Sequence, residues 1–222
     1  MPQTLSTQPR ETSTPGASNS DSDSATVSER VLIGLDLGQA RDYTAISAIE
    51  QVWDFKPSRY DYYLRFLERP ALGTPYPAVV QRVTKIFQDP RLRKADGPYL
   101  VLDKTGVGAP VADLFMAEDL QPISITITGG GKPSRVAGGY TVPKRDLVMA
   151  LLVVFQSGRF HIPQSLPLAK IFTEELQGFQ VKIDPKTAHD SYEAWREGAH
   201  DDLVLSAALA VWFGEYRFAR HG

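Results

Sequence analysis

One carboxylate inside an apolar run constrains this chain more than any other sequence feature. Residues 31–37 read Val-Leu-Ile-Gly-Leu-Asp-Leu, so Asp36 stands between two leucines. A short apolar run of this length predicts a buried β-strand. Asp36 could be a turn residue or a structural hydrogen-bond acceptor, but a buried carboxylate is costly without partners. We therefore take Asp36 as a candidate functional residue.

The segments that follow predict a mixed α/β architecture. Residues 43–53 and 59–67 are two further β-rich runs after short links, and three such consecutive strands predict an antiparallel meander. Five glycines within residues 129–139 predict a mobile loop or a splayed hairpin. The remaining pattern predicts helices at 77–87, 110–118, 144–156, 167–176 and 203–218, strands at 99–103 and 123–127, a candidate strand at 179–183 and a short edge segment at 160–162.

Composition and charge exclude several classes of protein. The chain of 222 residues has no cysteine, which excludes a disulfide scaffold, a thiol nucleophile and zinc sites that need sulfur. Lys+Arg 24 and Asp+Glu 26 nearly balance, so any nucleic-acid-binding surface must be local. The longest apolar runs, such as residues 147–155, are shorter than the ~20 residues of a membrane span, and we expect a soluble protein.

The chain is expected to consist of a tail and one folded domain. Residues 1–30 contain seven Ser, five Thr and three Pro but no aromatic residue, which predicts a disordered tail. This tail lacks the basic start and the apolar stretch of a secretory signal peptide. Residues 31–222 are expected to form the folded domain.

Besides Asp36, acidic residues stand at the ends of two other predicted elements. Asp103 ends the strand at 99–103, and Asp201 and Asp202 open the last helix. If the first and fourth strands are neighbours, Asp36 and Asp103 meet at one sheet edge, and the helix can bring Asp201 or Asp202 to them. Clustered carboxylates repel one another unless a cation compensates them, and all-oxygen ligands favour Mg²⁺ or Mn²⁺. Two such ions could serve phosphodiester hydrolysis.

Each of these acidic residues also has a structural explanation. Asp103 could start a turn before Gly106. Asp201 or Asp202 could stabilise the helix N-terminus through capping and the helix dipole, and we expect one of the two to do so. The joint pattern is more specific than any single member, because every carboxylate ends or opens an element that should converge on one edge.

Other polar residues near these elements are weaker candidates. His200, just before the acidic pair, could cap the helix, support a ligand from behind or transfer a proton, and the first two roles are favoured. The glycine patterns at 105–110 and 131–134 lack essential residues of dinucleotide and P-loop motifs. Basic residues that flank the glycine-rich segment could bind phosphates, although a solvated surface explains them equally well: Lys132, Arg135, Lys144 and Arg145.

Five motifs in order along the chain resemble one family. They are GLDLGQA at 34–40, DYTAI at 42–46, DKTGVG at 103–108, VPKRDL at 142–147 and HDDLV at 200–204. This ordered set resembles the nuclease domain of the large terminase subunit of tailed phages, and the similarity runs from residue 31 to residue 212. Residues 157–163 and 174–176 also resemble that domain.

The resemblance implies a ribonuclease H-like α/β fold, with a five-stranded mixed sheet flanked by helices. It also implies a metal-dependent endonuclease that cuts concatemeric viral DNA during genome packaging, with Mg²⁺ or Mn²⁺ as cofactor and two ions expected. Asp36, Asp103 and the pair Asp201 and Asp202 match its acidic metal-binding positions, with Asp202 slightly preferred as the main ligand of the pair. Lys144 matches a basic position near the site and is expected to contact DNA.

The same resemblance implies partners and a location. The substrate would be double-stranded DNA, and a separate ATPase motor, a small terminase subunit and a portal are candidate partners in the host-cell cytoplasm, away from membranes. A terminase large subunit carries its ATPase ahead of the nuclease, whereas a short polar tail stands there in this sequence, so packaging by this chain alone is not expected. Lys104 stands where a small residue is usual, which could weaken metal binding or help hold phosphate.

Three alternative functions compete with this hypothesis. A Holliday-junction resolvase shares the fold and the acidic site. An actin- or Hsp70-like ATPase has a phosphate loop similar to residues 34–38, but that architecture duplicates its domain and this chain is too short for two copies. A non-catalytic docking module of the packaging machinery would keep the fold without cutting DNA.

Overall fold

The computed structural model describes residues 29–38, 42–56, 58–94, 96–182 and 201–219. Within these residues, eight strands form one sheet in the order β6-β7-β5-β4-β1-β2-β3-β8. The strands are β1 Glu29–Asp36, β2 Ala45–Asp54, β3 Arg59–Glu68, β4 Asp96–Asp103, β5 Ile123–Thr128, β6 Ser134–Val136, β7 Gly139–Pro143 and β8 Phe160–His161. The helices are α1 Tyr76–Phe87, α2 Gly108–Ala117, α3 Lys144–Gln156, α4 Ala169–Lys182 and α5 Asp202–Arg217, and a 3₁₀ turn covers Pro90–Leu92.

The first three strands form the predicted meander. β1 pairs with β2 and β2 with β3, both antiparallel. β4 then lies parallel to β1 on the other side, followed by β5 and β7 in parallel. The first and fourth strands are therefore neighbours, which is the condition under which Asp36 and Asp103 were expected to meet.

The sheet has more strands than the five that the family resemblance implied. The glycine-rich segment forms the hairpin of β6 and β7, in which Ser134 pairs with Thr141 and Gly138 takes a φ of +77° at the turn. Of the two predictions for this segment, the hairpin is the one observed. The edge segment predicted at 160–162 is β8, which pairs parallel with β3.

The candidate strand at 179–183 is wrong as far as it can be compared. α4 continues through Lys182, and residue 183 lies outside the described part. A short apolar pattern fits a strand and a helix equally well, and a helix that is already formed extends at little cost. The burial of Phe172 and Leu176, four residues apart, places one face of α4 against the core.

The predicted tail is almost wholly outside the described part of the chain. Glu29 and Arg30 are the exception, and they belong to β1, so the first strand begins two residues earlier than the predicted domain boundary. No helix among the described residues is long and apolar enough to cross a membrane.

Helices cover both faces of the sheet. α1 and α2 pack against one face, whereas α3, α4 and α5 pack against the other. α5 lies closest, since a Cβ atom at Gly34 of β1 would stand 1.8 Å from the carbonyl oxygen of Ser206. This close approach brings the start of α5 to the carboxyl end of β1.

Candidate active site

Two adjacent parallel strands end in an aspartate at the same edge of the sheet. Leu35 of β1 is in register with Leu102 of β4, so Asp36 and Asp103, the next residue of each strand, lie side by side. Both aspartates are buried. This edge is therefore the place where the two predicted carboxylates meet.

The start of α5 brings the acidic pair to the same place. Asp201 precedes the helix and Asp202 is its first residue. Burial raises the pKa of Asp36 well above its ordinary value, and the negative charges of Asp103, Asp202 and Asp201 raise it further, while Lys144 lowers it. The charges of the other three carboxylates thus all affect the pKa of Asp36.

Asp103 is held by the turn that follows it. The backbone N–H of Thr105 donates to Oδ1 of Asp103 at 2.8 Å. Burial raises the pKa of Asp103, while Thr105 and the positive charge of Lys144 lower it. Asp103 thus has both roles that the sequence left open: it forms the turn before Gly106, and it lies at the acidic edge.

Lys144 connects α3 to the acidic pair. It is the first residue of α3, and its Nζ donates to Oδ2 of Asp201 at 2.7 Å. Asp201 stands at the capping position of α5 but makes no side-chain capping hydrogen bond. Its carboxylate is turned to Lys144 instead, so side-chain capping does not explain Asp201. Asp202, in the first turn, remains favourably placed toward the helix dipole.

Two residues of this site were assigned no role from the sequence. Arg69 follows β3, and its Nη2 contacts Oε1 of Glu175 on α4 and lies 3.5 Å from Oδ2 of Asp202. The backbone N–H of Val204 in α5 donates to Oε2 of Glu175 at 3.3 Å. Glu175 stands in a segment, 174–176, that resembles the terminase nuclease, whereas Arg69 has no sequence signal of its own.

Glu175 has an unusual environment for a paired carboxylate. Burial raises its pKa to about 7, and the charge of Asp202 contributes in the same direction. Arg69 and the amide of Val204 act in the opposite direction but do not outweigh burial. Arg69 and the amide of Val204 thus favour the charged form of Glu175, against burial and the charge of Asp202.

The other predicted basic residues are exposed. Lys132 follows the glycine-rich turn, Arg135 lies on the edge strand β6 and Lys104 follows Asp103 directly. Arg145, in the first turn of α3, donates to Asp146 at 3.2 Å. His200 lies outside the described residues. Among the described residues, Lys144 donates a hydrogen bond to the acidic group.

A cleft of about 300 Å³ borders the segment that follows β1. It is lined by the end of β1, the approach to β2, the loop after β3 and the start of α1, including Gly38, Thr44 and Tyr76. Thr44 Oγ1 accepts from the N–H of Gly38, and the hydroxyl of Tyr76 donates to the carbonyl of Gly38. These bonds hold the chain just after Asp36 in place.

The donor set suits a hard divalent cation. Carboxylate oxygens are the preferred ligands of Mg²⁺ and Mn²⁺. Burial is the main cause of the raised pKa of Asp36, and the three neighbouring negative charges, which a cation would compensate, add to it. In the part of the chain that the structure describes, no group of three or more His, Cys, Asp or Glu side chains is arranged to hold a metal ion. Lys144 and Arg69 instead pair with Asp201 and Asp202.

Strand order, helices on both faces and carboxylates at the shared edge define this domain as ribonuclease H-like in fold. The human cytomegalovirus terminase nuclease domain, solved Mn soaked and inhibitor bound, has a similar structure, with a TM-score of 0.50 and 14% sequence identity. The likeness covers 83% of this chain and 81% of that chain. No protein-family model matches the sequence, and no curated protein matches it. The terminase nuclease-like fold is thus confirmed, with eight strands instead of five.

Proposed function

We propose that this chain is a metal-dependent endonuclease that hydrolyses DNA phosphodiesters in the manner of a terminase large-subunit nuclease. The observation that carries this proposal is the position of Asp36, buried at the carboxyl edge of the sheet and facing the charges of Asp103, Asp201 and Asp202. The terminase-like fold supports it, as does the manganese soaked into the cytomegalovirus domain.

Four carboxylates would hold the metal, as Mg²⁺ or Mn²⁺ and as two ions. Asp36 would be shared between the ions because it couples to the other three acidic residues. Asp103 and the pair Asp201 and Asp202 would complete the ligand set. Asp202 is preferred as the main ligand of the pair, because Lys144 donates to Asp201 at 2.7 Å whereas Arg69 lies 3.5 Å from Asp202. Bound ions of this kind activate water and stabilise the leaving oxygen.

DNA would be held by local positive charge. Residues 31–222 contain 22 basic and 22 acidic residues, so the domain as a whole does not attract a polyanion. Lys144 and Lys104, beside the acidic edge, would contact the phosphates nearest to the cut. Exposed basic residues at the hairpin and the start of α3 would extend this contact along the duplex: Lys132, Arg135 and Arg145.

Genome packaging is the process that this proposal implies. An ATPase motor, a small terminase subunit and a portal in the host-cell cytoplasm would hold the DNA, because the neutral domain binds it weakly alone. The nuclease would then cut concatemeric DNA that its partners present.

Plasmid cleavage tests the catalytic proposal. The wild-type protein should cut with Mg²⁺ or Mn²⁺ and stop in EDTA, and Asp36→Asn and Asp103→Asn should abolish cutting while circular dichroism shows an intact fold. Asp96→Asn is the matched control, because Asp96 lies at the opposite end of β4, where it pairs with Arg30. It should still cut.

Two results would redirect the proposal. A folded wild-type protein that cuts nothing with either metal would leave a non-catalytic docking module as the better hypothesis. Preferential, symmetric cutting of four-way junctions over linear duplex would favour a resolvase.

A further inference from the structure

Arg69 joins three elements next to the acidic edge. It follows β3 directly, contacts Glu175 on α4 and lies 3.5 Å from Asp202 at the start of α5. Its guanidinium carbon is 5.2 Å from the centroid of the Tyr43 ring, which supports one face of the group. The side chain is only 15% exposed, so its charge acts in a poorly solvated place.

The guanidinium is shared unequally between two carboxylates. Nη2 is closer to Oε1 of Glu175 than to Oδ2 of Asp202. In the described part of the chain, Nε of Arg69 is buried and has no hydrogen-bond acceptor. Because the group is held at one end, a small rotation can move its positive charge from one carboxylate toward the other.

Glu175 holds both the arginine and the helix that carries Asp202. One of its oxygens contacts Arg69, and the other accepts from the N–H of Val204 in the first turn of α5. A single side chain from α4 therefore sets the position of the guanidinium relative to Asp202.

We propose that Arg69 and Glu175 are positioning residues that set how tightly the acidic site binds its metal ion. Arg69 is an internal counter-charge of Asp202 in the metal-free protein. Glu175 is the acceptor that draws Arg69 away, so that Asp202 can turn to the metal. This inference rests on the proposed metal-dependent function.

The two residues should affect metal affinity in opposite directions. A guanidinium beside Asp202 opposes the approach of a cation, so Arg69→Gln should tighten Mn²⁺ binding. Glu175→Gln keeps an acceptor for Val204 but loses the charge that attracts Arg69, so the guanidinium moves fully to Asp202 and Mn²⁺ binding weakens. A role in packing alone would weaken binding in both variants.

Calorimetric titration of metal-free protein with Mn²⁺ at pH 8 tests this inference. Each single variant should change the dissociation constant by about threefold to tenfold, the effect of one charge at a partly solvated site. The double variant should return close to the wild-type value, because it removes both charges. Arg65→Gln is the matched control, since Arg65 lies on β3, the strand that Arg69 follows, and pairs with the buried Glu50. It should leave the constant within about twofold of the wild type.

Melting in EDTA gives a second measurement without metal. Arg69→Gln should lower the melting temperature, because Asp202 and Glu175 lose their counter-charge, and the double variant should recover part of the loss. One result would overturn this inference alone. In it, the wild-type protein binds Mn²⁺ and cuts DNA, but the two single variants shift the Mn²⁺ dissociation constant in the same direction or do not shift it. Wild-type protein that neither binds Mn²⁺ nor cuts would overturn the proposed function and this inference with it.

Discussion

Nζ of Lys144 donates to Oδ2 of Asp201 at 2.7 Å across 57 residues of sequence. The bond connects the first residue of α3 with the residue that precedes α5, and both side chains are about three-quarters shielded from solvent. Lys144 also lowers the pKa of Asp36 and of Asp103. One lysine thus compensates charge at three of the four carboxylates, Asp36, Asp103 and Asp201.

Lys144→Gln should destabilise the metal-free protein. The substitution removes a charge-assisted hydrogen bond and leaves the acidic residues with less compensation, at a cost of about 1.5–3 kcal/mol. Urea unfolding in EDTA measures the difference. Lys170→Gln is the control, because Lys170 is exposed and its ion pair with Glu174 is long, at 3.8 Å. Equal stability of the two variants would contradict the moderating role of Lys144.

Asp36→Asn should stabilise the metal-free protein while it abolishes cutting. Burial and three neighbouring carboxylates raise the pKa of Asp36 in the folded state, so stability is lost as pH rises through that raised value. Asparagine does not ionise, so the variant keeps this stability at high pH. The melting temperature in EDTA should therefore exceed that of the wild type by more at pH 8 than at pH 5.

Added Mn²⁺ should reverse the order of the two melting temperatures, so that the wild type melts above Asp36→Asn. The ion should raise the melting temperature of the wild type through binding to the folded state and leave Asp36→Asn nearly unchanged. A variant that melts below the wild type in EDTA at pH 8 would argue that Asp36 is a structural acceptor.

Gly34→Ala should disrupt both stability and catalysis. The new Cβ would lie 1.8 Å from the carbonyl oxygen of Ser206 and 2.9 Å from Oγ of Ser47, so α5 must move away from β1. We expect a loss of about 3 kcal/mol or more in the free energy of unfolding, with weaker cleavage because Asp202 moves with α5. Gly130→Ala, where no atom lies within 4 Å, is the control in the same urea and plasmid assays.

Glu50→Gln should show a pH-dependent loss of stability at a place remote from the acidic edge. Although burial alone would raise the pKa of Glu50, hydrogen bonds from Lys94 and Arg65 lower it below its ordinary value of 4.5. The stabilisation is therefore present above that value and is lost as pH falls through the depressed pKa. Urea unfolding should show a deficit of about 1–3 kcal/mol at pH 7 that narrows toward pH 3.

The exposed Glu118→Gln is the control for that series. It should match the wild type at both pH values. A deficit of Glu50→Gln that stays constant down to pH 3 would assign the effect to packing and not to charge.

Short-range sequence patterns predict much of the site without any knowledge of tertiary contacts. The apolar run around Asp36, the strand ending at Asp103 and the acidic start of α5 each follow from periodicity over a few residues, and α3 has the predicted bounds 144–156. Parallel neighbouring strands then bring their last residues to one edge, so the meeting of Asp36 and Asp103 was also within reach of sequence reasoning.

Tertiary packing decided the rest. Arg69 and Glu175 are 106 residues apart, and no short-range pattern predicts that they meet, because their contact exists only once α4 and α5 pack beside the end of β3. Likewise, β8 joins the sheet through pairing of Phe160 with Tyr62, nearly a hundred residues earlier. The sequence by itself determined which carboxylates could form the site, whereas the packing of distant elements decided which charges face Asp202.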